Sequence, residues 1–401
     1  MRLQTYLMRN KLFSKLDEPF WVKVIYVFLY AGAGCYLSFY NLYLDQQNFT
    51  GFQIGAINGI YQAILVFAVI FWGIQADRVG IRKILLFTFP AVALLVIGLQ
   101  YINQFQWLVL YIFIFAFIYH PNPPLTDSLA ISMALKKQKG DFGKYRLWGS
   151  FGWGVATLLM GLILKYFSLI SIFWMAALFF MISWLTLWSG LQKEVKTVAP
   201  ARINLKNFKD LFGRPALAFF FVLLLLYGIA VAPLNYFINL YYLEIGASNS
   251  LIGVAFTVQA FFEIPFFLYG NELVVRFGPK KIIAFTLLVT IARLVAYGLI
   301  DDPLWAIPFG LGHAFTLALF LVAVVEYVHR LVPAHWRATA QSMIWGFHFG
   351  AGITLGNLLI GALKDTYTMQ GVMLINAGLA VLVTLMILLY FARTRRKTRA
   401  R

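Results

Sequence analysis

"GIQADRVGIRK" runs from Gly73 to Lys83, and "NELVVRFGPKK" runs from Asn271 to Lys281. Each follows one long apolar segment and precedes another. Arg78 and Arg276 stand 198 residues apart, and so do Gly80 and Gly278. A short link between two helices needs a sharp turn, which glycine makes at little steric cost. The basic residues suit an anionic headgroup surface. Such a link, repeated at a fixed offset with both copies in one orientation, points to a duplicated helical unit.

The composition supports a chain that lives in lipid. Of its 401 residues 61% are hydrophobic and 12% are charged, where a soluble domain has about 45–50% and about 25%. Twelve apolar spans are read at 20–44, 52–76, 84–102, 105–135, 142–167, 169–191, 215–243, 250–274, 282–300, 303–329, 337–363 and 369–392. Each comes near the roughly 20 residues that cross a bilayer. The prediction is an all-α polytopic membrane protein, with twelve transmembrane helices in two pseudo-symmetric six-helix bundles. The polar stretch "QKEVKTVAPARINLKNFKDLFGR", Gln192 to Arg214, divides the spans six from six. Residues 1–191 are therefore expected to form one bundle, 192–214 a linker with an amphipathic turn near Leu205 to Phe212, and 215–401 a second bundle. Cys35 is the single cysteine, so no disulfide forms within the chain. The first span is too long for a signal-peptide core and is read as a retained helix.

The net charge of +18 is distributed by topology. Of 33 Lys and Arg, 28 fall in alternate connections or in the two terminal arms. Positive charge marks the cytoplasmic side, so both termini are expected inside, in a bacterial inner membrane. The tail "RTRRKTRAR" (393–401) reads as a solvated anchor on anionic lipid. Nothing in this distribution resembles a nucleic-acid footprint.

A charge at mid-bilayer costs about 2.5–3.5 kcal/mol on insertion scales. The few charges inside the spans are therefore candidate site residues. Asp127 lies in "HPNPPLTDSLAI", where Pro121, Pro123 and Pro124 must bend or break span 4. Arg146 lies in "DFGKYRLWGSFGWG" (Asp141–Gly154), near the inner start of span 5. Their depths would allow an ion pair across a cavity. Ser150 and Trp153 follow Arg146 by four and seven residues and share its helix face. An arginine, a hydroxyl and an indole on one stripe suit a flat or ring-shaped solute. The glycines of this segment equally suit close helix packing. In the second half Glu263, Arg293 and His313 lie near mid-span and could meet. A carboxylate there would change its proton affinity whenever a nearby cation moved.

On these residues the chain resembles the major facilitator superfamily, over essentially its whole length. The loop carrying Asp77, Arg78 and Gly80 is similar to that superfamily's signature, with a conformational role. Its echo, Arg276 and Gly278, has Val275 where Asp77 stands. "FGKYRLWGSFGWG", "ARLVAYG" and "GHAFTLALF" resemble the branch of lactose permease, the nucleoside–proton symporters and the phenylpropionic acid transporters. That resemblance implies substrate contacts for Arg146, Ser150, Trp153, Glu263 and, one residue out of register, Asp127. It implies proton coupling through some of Glu263, Asp127, His313 and Arg293. Thr316 stands where the permease has its proton-binding glutamate, three residues after the histidine. The expected function is proton-coupled symport of a sugar, nucleoside or aromatic acid by a monomer. The alternative is a proton-coupled exporter of drugs or of a metabolite such as a siderophore. No metal-ligand cluster, phosphate-cradling loop or Cys–His or Ser–His spacing suggests an enzyme, and no cofactor or metal is expected.

Overall fold

A computed structural model of the chain describes residues 18–136, 142–191, 213, 215–333 and 336–399. The linker turn expected near Leu205 to Phe212 lies outside the described residues, as do the N-terminal arm and the middle of the 4–5 loop. Twelve helical segments cross between two ends of the molecule: α1 (Glu18–Gln46), α2 (Gly51–Val79), α3 (Ile81–Tyr101), α4 (Phe105–Ala134), α5 (Gly143–Ile163), α6 (Ser171–Gly190), α7 (Pro215–Glu244), α8 (Asn249–Phe277), α9 (Pro279–Leu299), α10 (Pro303–His329), α11 (Thr339–Lys364) and α12 (Met369–Arg393). Eleven are long and apolar enough on their own to cross a membrane. The exception, α5, is diluted by Arg146, Ser150 and its glycines. Phe67, Leu94, Trp107 and Trp174 are exposed, as side chains that face lipid tails would be.

The packing repeats with a shift of six helices. In the first half α1 packs on α5 and α6, and α3 packs on α6; in the second α7 packs on α11 and α12, and α9 packs on α12. The halves meet through two equivalent crossings, α5 on α8 and α2 on α11. Gly80 and Gly278 end α2 and α8 with φ of 99° and 86°. This is the left-handed side of backbone space, where a side chain is strained.

Both crossings close tightly at the end of the molecule that carries residues 47–50, 164–170, 245–248 and 365–368. A Cβ on Gly253 would lie 2.6 Å from the Thr157 carbonyl oxygen, and one on Gly361 would lie 2.5 Å from that of Gly51. Polar contacts join the same crossings. Ser250 donates to the Gly161 carbonyl at 3.0 Å. Asp365 accepts from the Gly51 and Phe52 amides at 2.6 and 2.9 Å, capping α2 from the other half. A carboxylate there also complements the positive end of the helix dipole. Lys364 pairs with Asp45 at 3.0 Å. We call this the loop end, and the opposite one, which carries the chain termini, the terminal end.

Five helices are interrupted. α1 breaks at Ser38–Phe39, and α4 breaks at His120–Pro121, as the prolines require. α7, α10 and α11 contain wide π-helical turns at Pro233–Phe237, Phe315–Leu319 and Trp345–Gly352. Interrupted backbone is tolerated at membrane depth only against protein or a wet cavity, and a cavity lies between the halves here. Gly80→Ala and Gly278→Ala should each cost roughly 1–3 kcal/mol, because a methyl group is forced into a glycine-only conformation. Thermal unfolding of the detergent-purified variants reads this cost. Unchanged midpoints for both would refute the strained-turn account.

Candidate functional site

The cavity holds about 370 Å³ and is lined from both halves. The first half contributes Arg146, Ser150 and Trp153 from α5, Tyr30 and Asn41 from α1, Asn58 and Gln62 from α2, and His120 from α4. The second contributes Asn239 from α7, Gln259 and Glu263 from α8, His313 from α10, and Trp345 and Phe349 from α11. Arg146 and Glu263 are the charged side chains of this lining, and His120 and His313 are its imidazoles.

Glu263 is the centre of the polar contacts. Its Oε1 meets His313 Nε2 at 3.1 Å, and its Oε2 accepts from Ser150 Oγ at 3.3 Å. One carboxylate thus joins α5 of the first half to α8 and α10 of the second. The carboxylate and the imidazole are mostly covered, with side-chain exposures of 12% and 16%. His313 Nδ1 is buried without a hydrogen-bond partner among the described residues. Such a pair can hold a proton between its two members or pass it to water in the cavity.

Arg146 is held by aromatic faces. Its guanidinium lies 4.4 Å from the centre of the Tyr30 ring and 4.7 Å from that of Phe267, so it is also sandwiched between the halves. Such stacking suits the flat, weakly hydrated guanidinium. Its Nη1 is buried and unpaired among the described residues, leaving a cationic donor for a ligand. Gln259, one turn before Glu263, also has a buried, unpaired amide nitrogen. Trp153 presents its half-buried ring to the same space.

Two expected arrangements are absent. Asp127 forms no ion pair with Arg146 among the described residues and lies outside the cavity lining. Its carboxylate accepts from Tyr26 Oη at 2.5 Å, and Tyr26 stacks on Tyr30 with centroids 6.1 Å apart. Tyr26 and Tyr30 of α1 thus link the two through contacts, and the charges of Asp127 and Arg146 remain near enough to interact without pairing. Arg293 does not join Glu263 and His313. It is buried against α10, donating to the Phe309 carbonyl at 3.1 Å and to Thr316 Oγ1 at 2.7 Å. A Cβ on Gly312 would lie 2.5 Å from the Arg293 side chain, so the arginine fits because α10 has a glycine there. Thr316, which stands where the resemblance places a carboxylate, gives Arg293 a neutral partner. Asp77, Arg78 and Arg276 are exposed at the terminal end.

Several lining residues escaped the sequence reading. Tyr30, Asn58, Gln62 and Gln259 are uncharged and carry no motif, although polar amides in apolar spans were a visible signal. His120, beside the prolines of α4, carries no motif either; its Nε2 lies 2.6 Å from the Tyr61 carbonyl oxygen.

The sequence model of the MFS_1 like family matches residues 20–375. The "uncharacterized transporter YwbF" of Bacillus subtilis (strain 168) is 27% identical over 82% of this chain and 83% of that one. The maltose permease of Geobacillus stearothermophilus is 26% identical over 93% of this chain and 94% of that one. The crystal structure of the nucleoside transporter NupG superposes with a TM-score of 0.83 at 21% identity, over 94% of this chain and 99% of that one. Twelve helices in two equivalent sets of six, a cavity shared between them and a family match over most of the length lead to one conclusion: the chain belongs to the MFS_1 like family and is a multi-pass membrane transporter of the major facilitator type.

Proposed function

We propose that the protein is a proton-coupled symporter of a neutral, ring-bearing, hydroxylated solute, a sugar or a nucleoside, in a bacterial inner membrane. The Ser150–Glu263–His313 contact across the halves carries this reading. An aromatic acid would meet Arg146, which attracts its carboxylate, as well as Glu263, which repels it; a neutral solute leaves these two charges balanced. Amides on several helices offer both donors and acceptors to hydroxyl groups. Trp153 and the aromatic rings of α11 offer faces on which a ring can lie. The named substrates of the maltose permease and of the nucleoside transporter NupG fall in these two classes.

Residues 1–191 and 215–401 act as the two bundles of a monomer, joined by the 192–214 linker, and rock about the cavity. The basic terminal end faces the cytoplasm. The arrangement described above, tight at the loop end, is then the inward-facing one. Coupling follows from the cost of burying charge. When the cavity is occluded, water no longer solvates the Glu263 carboxylate, and an unpaired charge in a dry interior is prohibitive. A solute that takes over the Ser150 hydroxyl or the His313 imidazole removes a partner from the carboxylate. A proton on Glu263 then removes the unpartnered negative charge, and the loaded cavity can close. Solute and proton are bound together because each lowers the cost of the other.

Proteoliposomes with an imposed inward proton gradient test this, using labelled maltose, sucrose, uridine and adenosine. The intact protein should accumulate at least one of them. Glu263→Gln, neutral at every pH, should lose gradient-driven accumulation by roughly 10-fold or more while keeping solute exchange at equal concentrations. Accumulation at the parental level by this variant, with parental proton flux, would eliminate the coupling role. Arg146→Lys keeps the charge but loses the flat stack on Tyr30 and Phe267. It should raise the half-saturating solute concentration by roughly 10-fold, with a smaller effect on maximal rate. An unchanged concentration dependence would remove Arg146 from the binding site.

A further inference from the structure

Asn41 and Asn239 are buried at the roof of the cavity, 4% and 2% exposed. They stand 198 residues apart, the offset that relates Gly80 to Gly278. Asn41, on α1, donates through Nδ2 to the Tyr236 carbonyl of α7 at 2.5 Å. Asn239, on α7, donates through Nδ2 to the Ser38 carbonyl of α1 at 3.0 Å. Ser38 and Tyr236 are also 198 residues apart. The two bonds are therefore copies of one interaction, each running from one half to the other.

Both acceptors lie where a helix is interrupted. Ser38 lies at the break in α1, and Tyr236 lies in the wide turn of α7. An uninterrupted α-helix would turn the Leu240 N–H toward the Tyr236 carbonyl. Here the Leu240 N–H donates instead to Asn239 Oδ1 at 2.9 Å. Asn58 does the equivalent for the first half, donating to Asn41 Oδ1 at 3.1 Å. Each side-chain amide is thus oriented through its oxygen, so that its nitrogen faces the carbonyl of the opposite half. Tyr236 adds a third link, donating from its hydroxyl to Gln62 Oε1 at 2.6 Å. Buried donors and acceptors cannot simply be uncovered in a dry interface, since each orphaned group carries its own desolvation penalty. They can be separated at low cost only when water enters, that is, when the loop end opens.

We propose that Asn41 and Asn239 are positioning residues that form a reciprocal clasp, holding the loop end shut while the cavity is open toward the terminal end. Making and breaking the clasp sets how the protein divides its time between its two faces. The inference rests on the rocking of the two halves proposed above, but not on the identity of the solute.

The test is a distance measurement across the loop end of the full chain. Cys35→Ala removes the native thiol, and Tyr166→Cys with Tyr367→Cys places spin labels on opposite halves at exposed sites, 79% and 52% accessible. Double electron–electron resonance then reads the separation in lipid nanodiscs. The parent should show a dominant short distance and a minor long one. Asn41→Leu and Asn239→Leu should each raise the ratio of long to short roughly five-fold, as loss of one buried hydrogen bond predicts. The double variant should exceed either single one. The serine variants, whose shorter side chains cannot reach the carbonyl, replace any leucine variant that does not fold. Variants with lower melting points but parental distances would have only a packing role, and the clasp would be rejected. A parent with two distances that no substitution shifts would also reject it. A parent with one fixed distance at every pH, with or without the four solutes, would overturn the rocking reading and the clasp together.

Discussion

A carboxylate cannot stay ionised inside hydrocarbon without partners, and the placement of Glu263 answers that constraint. Its two oxygens face Ser150 and His313, on helices from different halves. Neither partner is a fixed cation. An arginine in ion-pair contact would supply a permanent counter-charge, whereas a hydroxyl brings no charge and an imidazole need not. The available arginines are engaged elsewhere. Arg146 is stacked between Tyr30 and Phe267, and Arg293 is turned into α10, where it meets Thr316. Arginines thus flank the site without locking its single carboxylate.

The two ends of the molecule obey different rules. At the loop end the helices touch through glycines and through hydrogen bonds that satisfy broken backbone. Gly161 against Gly253 and Gly55 against Gly361 bring backbones together without intervening side chains. Close packing of this kind is strong only when complete, so it favours two discrete arrangements over a continuum. At the terminal end Gly80 and Gly278 turn the chain in the short basic links between α2 and α3 and between α8 and α9. Their charges remain hydrated at a headgroup surface whichever way the halves lean. The loop end is thus held by dry contacts, while the charges of these terminal-end links stay in water.

The fold was legible because its signals are one-dimensional. Span length, alternate positive loops and a repeat offset need no knowledge of contacts, and the helix bounds differ from the expected ones by only a few residues, as at α4 and α10. The proline break in α4 was legible for the same reason. The site was legible only in part. Arg146, Ser150 and Trp153 share a face by simple periodicity. Asp127 was placed by depth alone, and depth does not say which way a side chain points around a helix axis. On α4 it points at Tyr26 of α1. Arg293 failed similarly: it has the depth of His313, but Gly312 opens a groove that takes the side chain away. The π-helical turns of α7, α10 and α11 have no period of their own to read, and only Pro233, which opens the one in α7, marks any of them. The asparagine pair lies at the same 198-residue offset as the loop glycines and is legible in the sequence on that ground.

The duplication is closer in architecture than in chemistry, and this difference bears on transport. The first half supplies Arg146, Ser150 and Trp153; the second supplies Glu263, His313 and Gln259. Asp77 has Val275 as its counterpart. A ligand that touches one half alone binds equally well whichever way the halves lean, and so shifts no equilibrium between them. A ligand held by Arg146 and Trp153 on one side and by Glu263 on the other binds best when both sides reach it at once, in the occluded geometry between the two open ones. In the proposed binding mode, division of the site between unlike halves would make solute binding a force for closure. In the symport proposed above, protonation of the single carboxylate, which is shared across the same boundary, would be part of that force.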